Sequence, residues 1–217
     1  MSPALFVTFE GPEGAGKSTQ IRLLLERLQE RGLEALAVRE PGGTPLGERV
    51  RELLLSTPGL AFDPRAEVLL FCAARAQLVA TVIRPALAAG RIVLADRYVD
   101  STQAYQGAGR GLDRQALANV LSFATGGLMP DLTFLLDLPT EVGLARKRSG
   151  SAEWNRLDQE SVAYHRAVRR GFLELAAREP GRWQVLDAQR PADDLAREIL
   201  DAVLQRLAAR SERPGDA

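Results

Sequence analysis

Gly11-Pro-Glu-Gly-Ala-Gly16-Lys17-Ser18 combines glycines, a lysine and a hydroxyl at the G-x-x-x-x-G-K-[ST] spacing. Glycines at such a turn let the backbone wrap so that successive N–H groups face an anion, and a helix N-terminus behind them adds positive potential. The lysine then supplies a point charge to the β- and γ-phosphates of a nucleoside triphosphate, and the hydroxyl a ligand for Mg²⁺. The motif stands after the apolar run Ala4–Phe9 and opens a helical pattern, which is the setting it requires. Gly11, Pro12, Glu13, Gly14, Ala15, Gly16, Lys17, Ser18 and Thr19 are therefore candidate ATP contacts. Ile92-Val-Leu-Ala-Asp96 is an apolar run ending in an acid, the form of a Walker B strand. Asp96 joins Ser18 as a candidate Mg²⁺ ligand.

These groups need a frame. Short apolar, β-rich runs at Ala4–Phe9, Leu36–Val38, Ile92–Ala95, Leu132–Leu136 and Trp183–Leu186 read as strands. Helical patterns lie between them: Lys17–Arg31, closed by Gly32, and stretches near 46–55, 65–89, 113–125, 140–148, 158–178 and 192–209. Strands alternating with helices predict an α/β fold, a five-stranded parallel sheet flanked by helices. Such a sheet binds ligands at the carboxyl ends of its strands, where these motifs fall. The expected organisation is one domain over residues 1–210 and a polar tail, Ser211–Ala217, with Pro214 and Gly215.

Composition narrows the class. Of 217 residues, 28 are basic and 28 acidic, so no broad positive field exists for a nucleic acid or a membrane surface. No apolar run is read as approaching the ~20 residues of a bilayer span, and the start lacks the basic region of a signal peptide. A soluble, cytoplasmic protein is expected. Cys72 is the only cysteine, so neither an internal disulfide nor a cysteine metal cluster can form. It lies in an apolar run and reads as buried filler, and the sole histidine, His165, gives little sign of catalysis. Only Lys17 and Lys147 are lysines.

The acceptor must come from other residues. No N-K-x-D guanine signature exists, and several arginine-bearing segments are spread along the chain, as two anionic substrates would need. Phe9-Glu10-Gly-Pro-Glu13-Gly-Ala-Gly-Lys-Ser-Thr19, Arg39-Glu-Pro-Gly-Gly-Thr44, Phe71-x-x-x-Arg75 and Asp96-Arg97-Tyr98-x-x-Ser101-Thr-Gln-Ala-Tyr105-Gln-Gly107 resemble thymidylate kinases in order and spacing. The resemblance runs from about residue 4 to about 205. It implies the P-loop, nucleoside monophosphate kinase-like fold with a lid, a homodimer, and transfer of the γ-phosphoryl of Mg-ATP to dTMP in dTTP biosynthesis. The apolar stretch at 66–83 is a candidate dimer interface.

The resemblance also implies roles. Glu13 would hold the acceptor's sugar hydroxyl. Phe71 and Arg75, four apart on one helix face, would stack on thymine and hydrogen-bond its edge. Arg97 would point at the acceptor phosphate or the transferring group. Ser101 or Thr102 would contact the base, and Tyr105 would pack where a ribose 2′-hydroxyl would clash. Glu40, opening the Pro-Gly-Gly turn beside Arg39, joins the acceptor set. Arg51 is a further candidate for the acceptor phosphate, with Arg49 its near neighbour. Gln103 and Gln106 receive no role.

Residues 146–156 break the helical pattern at Ser149-Gly-Ser151 between arginine-bearing flanks, which suits a mobile cover over ATP. One branch of the family places an arginine directly after the acid of the loop. Here that position is Gly14, so Arg146, Arg148 and Arg156 in the lid are the expected cations, Arg148 and Arg156 foremost. Trp154-Asn155 departs from the small and acidic residues expected before the last arginine. No residue is placed for a covalent intermediate, so direct transfer is expected. Two rival readings remain open: a kinase of the same fold acting on another base, and a P-loop switch that hydrolyses ATP without an acceptor.

Overall fold

The computed structural model describes residues 4–57, 60–150 and 154–211. Five strands, β1 (Leu5–Glu10), β2 (Ala35–Arg39), β3 (Ile92–Asp96), β4 (Leu132–Asp137) and β5 (Trp183–Asp187), make one sheet in the order β2-β3-β1-β4-β5. Every neighbouring pair is parallel. The expected parallel sheet is therefore the one observed. β1 is central, and its register pairs Phe9 with Asp96 and Glu10 with Leu135, so the carboxyl ends of three strands meet beside the glycine loop.

The β1 side chains alternate with meaning. Leu5, Val7 and Phe9 point into one core with α1 (Lys17–Gln29) and the carboxyl-terminal helix. On the other face Phe6 packs in a second core, but Thr8 and Glu10 follow it, all three buried. The Thr8 hydroxyl is bonded to that of Thr133 at 2.8 Å. This face thus turns from apolar to polar as it approaches the site. The strand also begins and ends one residue later than the sequence predicts, which brings Glu10 inside the sheet.

After β2 come α2 (Pro45–Arg51), a π-helical turn (Glu52–Ser56) and α3 (Pro64–Leu78), which continues through a π turn (Val79–Ile83) into α4 (Arg84–Ala88). Asp63 caps α3 by accepting the N–H of Arg65, with Pro64 in the first turn. Contrary to the sequence reading, Pro64–Ala88 is 25 residues long and contains an 18-residue stretch with a mean hydropathy of 1.7, long and apolar enough to cross a bilayer by those measures. Its inner face instead packs in the domain through Val68, Cys72, Leu78, Val79 and Ile83, and carries the buried Glu67 and Arg75.

The sequence reading missed the next element. α5 (Val99–Thr102) and a π-helical turn (Gln103–Gly109) follow β3 directly. Gly107 and Gly109 in the turn hide the pattern, yet Gly109 allows a close contact: a Cβ there would meet Tyr164 at 2.6 Å. The remaining helices are α6 (Arg114–Thr125), α7 (Thr140–Ser149), α8 (Val162–Arg178) and α9 (Ala192–Ser211). α8 starts later than expected because Leu157–Gln159 forms a separate 3-10 turn. Of the expected tail, Ser211 closes α9 and 212–217 lie outside the described residues. So do 151–153 within the expected lid.

Candidate active site at the carboxyl edge of the sheet

A cleft of about 520 Å³ opens where β1, β2 and β3 end. Its floor begins at α1, whose N-cap is Gly16 at φ 89° with no side-chain cap. The first-turn N–H groups are therefore left for an anion. Gly11 and Gly14 also take positive φ, 136° and 69°. A Cβ on Gly14 would meet the carbonyl oxygen of Gly143 in α7 at 2.2 Å. That contact explains why this chain cannot place an arginine directly after Glu13. Residues Glu13 to Thr19 line the cleft, whereas Gly11 and Pro12 serve it through their carbonyls.

Lys17 donates to those two carbonyls at 3.1 and 2.9 Å. Burial, reinforced by the nearby Arg97, lowers its ammonium to about 8, against the opposing pull of Glu13, Asp96 and Glu10. The Ser18 hydroxyl donates to Asp96 at 2.6 Å, so the two expected Mg²⁺ ligands meet.

Glu13 is the hub. It accepts Arg97 Nη2 at 2.8 Å and the Tyr105 hydroxyl at 2.7 Å, and Lys147 Nζ lies 3.4 Å away. Burial alone would raise its pKa, but Arg97, Lys17 and Lys147 together hold it well below the usual carboxylate range. Arg97 stacks over the Tyr105 ring at 4.9 Å and donates to Gly11 O and Ser101 Oγ. Among the described residues it is the one non-glycine residue at positive φ, 72°, a conformation that costs on the order of 1–2 kcal/mol.

The other wall carries Phe71, Arg75, Glu40, Thr102 and Arg51. Arg75 and Glu40 form an ion pair at 2.6 Å, with side chains 2% and 4% exposed. Arg75 also donates to Thr102 Oγ1 and to the Tyr98 carbonyl. Burial pushes the Glu40 carboxyl up while Arg75 pulls it down, and Glu40 Oε1 has no hydrogen-bond partner. Arg51 donates to Pro41 O at 3.1 Å.

The lid cations divide differently from expectation. Arg146 lines the cleft and donates to Ala188 O. Arg148 is turned away, over the Trp154 ring at 4.9 Å, which gives the unexpected tryptophan a partner. Arg156 is turned away too: it donates to Leu54 O at 3.0 Å and pairs with the buried Glu67. In their place Lys147 enters, paired with Asp158 at 2.6 Å. Its rarity was the available signal, one of two lysines in a chain that otherwise uses arginine. Glu10, beneath Arg97, was also missed; burial and neighbouring Asp100 raise its carboxyl to about 8. His165 is buried outside the cleft, edge-on to Tyr164.

The family model described as thymidylate kinase matches residues 9–199. The chain belongs to the thymidylate kinase family. It is 59% identical to thymidylate kinase of Thermomicrobium roseum, covering 88% of this chain and 90% of that one. With thymidylate kinase of Deinococcus radiodurans it shares 54% identity over 95% and 99% of the two chains. A crystal structure of thymidylate kinase from Ehrlichia chaffeensis aligns with a TM-score of 0.74 at 32% identity, over 92% and 98% of the two chains.

For a thymidylate kinase, the Lys17 value has a kinetic consequence. The free-enzyme ammonium is charged below about 8 and neutral above it. The quantity kcat/KM for ATP reports free-enzyme ionisations, so it is expected to fall about tenfold per pH unit above that point. Bound phosphates favour the charged lysine, so kcat is expected to fall only at higher pH. A profile of both constants from pH 6 to 10 checks this, and a flat kcat/KM would contradict it.

Proposed function

We propose that the protein transfers the γ-phosphoryl of ATP to dTMP, giving dTDP and ADP by direct in-line displacement. One observation carries the reading: a loop built for phosphates and a separate aromatic and guanidinium wall meet at a single arginine, Arg97. A triphosphate on the loop would take the α1 N–H groups and displace Lys17 from the carbonyls of Gly11 and Pro12. A nucleoside monophosphate fits the opposite wall. Phe71 offers a plane for the base, Arg75 and Thr102 its polar edge, and the free Glu40 Oε1 an acceptor. The Tyr105–Glu13 pair stands where the sugar would lie, and Arg51 and Arg97 approach from the phosphate side.

Ser18 and Asp96 fit Mg²⁺, since both are hard oxygen donors and this ion prefers one or two such ligands plus water and phosphate. The described residues hold no cluster of three or more His, Cys, Asp or Glu. When bound, the ion would neutralise charge on the β- and γ-oxygens. The chain's own cations hold the equatorial oxygens, with Lys17 and Arg97 fixed by strand ends and Lys147 and Arg146 delivered on α7. The acceptor needs little general-base help, because a phosphate monoester is already largely ionised near pH 7.

In this reading Lys147 is the α7 cation that matters. Lys147→Ala is expected to lower kcat by roughly tenfold or more, and Arg148→Ala to stay within about threefold. A larger loss in Arg148→Ala than in Lys147→Ala would return the role to Arg148. The reading also takes the enzyme as one domain over 1–210, cytoplasmic and homodimeric, with no nucleic acid or membrane as partner. Adjacent helices α3 and α6 support the dimer, leaving Leu69 59% and Phe123 91% exposed.

The acceptor is tested by ADP release from Mg-ATP with dTMP, dUMP, dGMP, dCMP, AMP or none. Stimulation by dTMP above all others is expected. Equal turnover with every acceptor and with none would leave an ATPase switch.

A further inference from the structure

Glu10 is a carboxylate that none of the steps above uses. Its side chain is fully buried beneath the cleft, at the polar end of the β1 face begun by Phe6 and Thr8. Oε1 accepts the backbone N–H of Tyr98 at 2.8 Å and lies 3.3 Å from that of Ser101. Oε2 shares a 2.5 Å hydrogen bond with the Ser101 hydroxyl. The same Ser101 Oγ accepts Arg97 Nη1 at 3.1 Å. An unbroken path therefore runs from Glu10 through Ser101 to the guanidinium that faces Glu13.

The backbone gives the path its purpose. Arg97 sits at φ 72°, and a residue with a Cβ stays there only when its surroundings hold it. Two consecutive residues of β1 do the holding. The Arg97 N–H donates to Phe9 O at 3.0 Å, and the next N–H, that of Tyr98, donates to Glu10. α5 begins at this point without a side-chain cap of its own. Glu10 supplies the acceptor from a distant strand. Asp100 fixes the other side of the same turn through Arg182, at 2.7 and 3.0 Å.

We propose that Glu10 is a positioning residue for Arg97, holding by hydrogen-bond geometry the left-handed turn and the Ser101 hydroxyl that aim its guanidinium into the cleft. The role is geometric. A glutamine side chain presents the same acceptor to both amides and a donor to Ser101, whereas methionine fills the volume, leaves the Tyr98 N–H without its acceptor and leaves the Ser101 N–H only the Tyr98 carbonyl at 3.2 Å. The proposal rests on the phosphoryl transfer to dTMP proposed above.

The test is a double-mutant cycle. Glu10→Met and Glu10→Gln are made in the natural sequence and in the Arg97→Ala background, and kcat/KM for dTMP is measured for each. With Arg97 present, Glu10→Met is expected to cost roughly tenfold or more and Glu10→Gln less than about threefold. In the Arg97→Ala background, Glu10→Met is expected to cost less than about twofold, because the residue through which it acts is gone. Should Glu10→Met fail to fold, Glu10→Asp, which withdraws the carboxylate by one methylene, carries the same cycle. Equal losses in both backgrounds, no loss with Arg97 present, or a glutamine as costly as methionine would overturn the proposal. The natural sequence is the control: if it shows no dTMP-stimulated turnover, the functional reading fails, and if it does, additive losses end only the role of Glu10.

Discussion

Arg75→Ala is expected to destabilise the protein by about 3–5 kcal/mol and to remove dTMP-stimulated turnover. The stability loss comes less from the bonds of Arg75 than from what it leaves behind. Glu40 would be a buried carboxylate with no cation, its Oε1 already without a partner. Burial already raises its pKa, and losing Arg75 removes the main opposing influence. A carboxyl whose folded pKa lies above its unfolded value binds its proton more tightly when folded, so its contribution is greatest at low pH and is lost as pH rises through the folded pKa. The destabilisation of Arg75→Ala should therefore be smaller at pH 5 than at pH 7.5. Replacing the pair together, Arg75→Met with Glu40→Gln, should recover part of the stability and none of the acceptor dependence. Thermal unfolding at the two pH values, with ADP release beside it, measures all of this. A pH-independent loss, or retained stimulation by dTMP, would contradict the account of this wall.

Lys17→Met should do the reverse, leaving the fold intact and stopping the chemistry. Lys17 is 8% exposed, and its ammonium rests on neutral carbonyls. Its removal strands no carboxylate, because Glu13 keeps Arg97 and Lys147. A lysine whose folded pKa lies below its unfolded value penalises the folded state below the folded pKa, and the penalty fades as pH rises towards the unfolded value. The variant is thus expected to gain on the order of 1–3 kcal/mol near neutral pH. Its kcat should fall by about 10²–10³, the usual cost of losing one fixed charge aimed at a transition state. A lower melting temperature, or turnover within about tenfold of the natural sequence, would contradict this.

The sequence made the sheet legible because each buried strand is a short apolar run set between helical patterns, and the glycine loop was legible because its spacing is fixed by phosphate geometry. Three things were hidden, each for a physical reason. α5 is only four residues long, and the π turn after it carries Gly107 and Gly109, the latter packed against Tyr164 on α8. Glu10 looked like part of the loop motif. Its burial follows from the register of β1, which local pattern does not set. In the lid, sequence placed positive charge without direction: Glu67, which draws Arg156, lies far along the chain on α3, and Trp154, though inside the lid, gives no sign in sequence that it would take Arg148. Lys147 faces inward because Asp158 and Glu13 stand on that side.

The central claim is transfer to an acceptor rather than release to water. Incubating the protein with Mg-ATP labelled at the γ-phosphorus, with and without dTMP, and separating the nucleotides tests it most directly. The account predicts label in dTDP, one per ADP formed, with no orthophosphate beyond the acceptor-free rate. Label appearing as orthophosphate at the same rate with and without dTMP would contradict it.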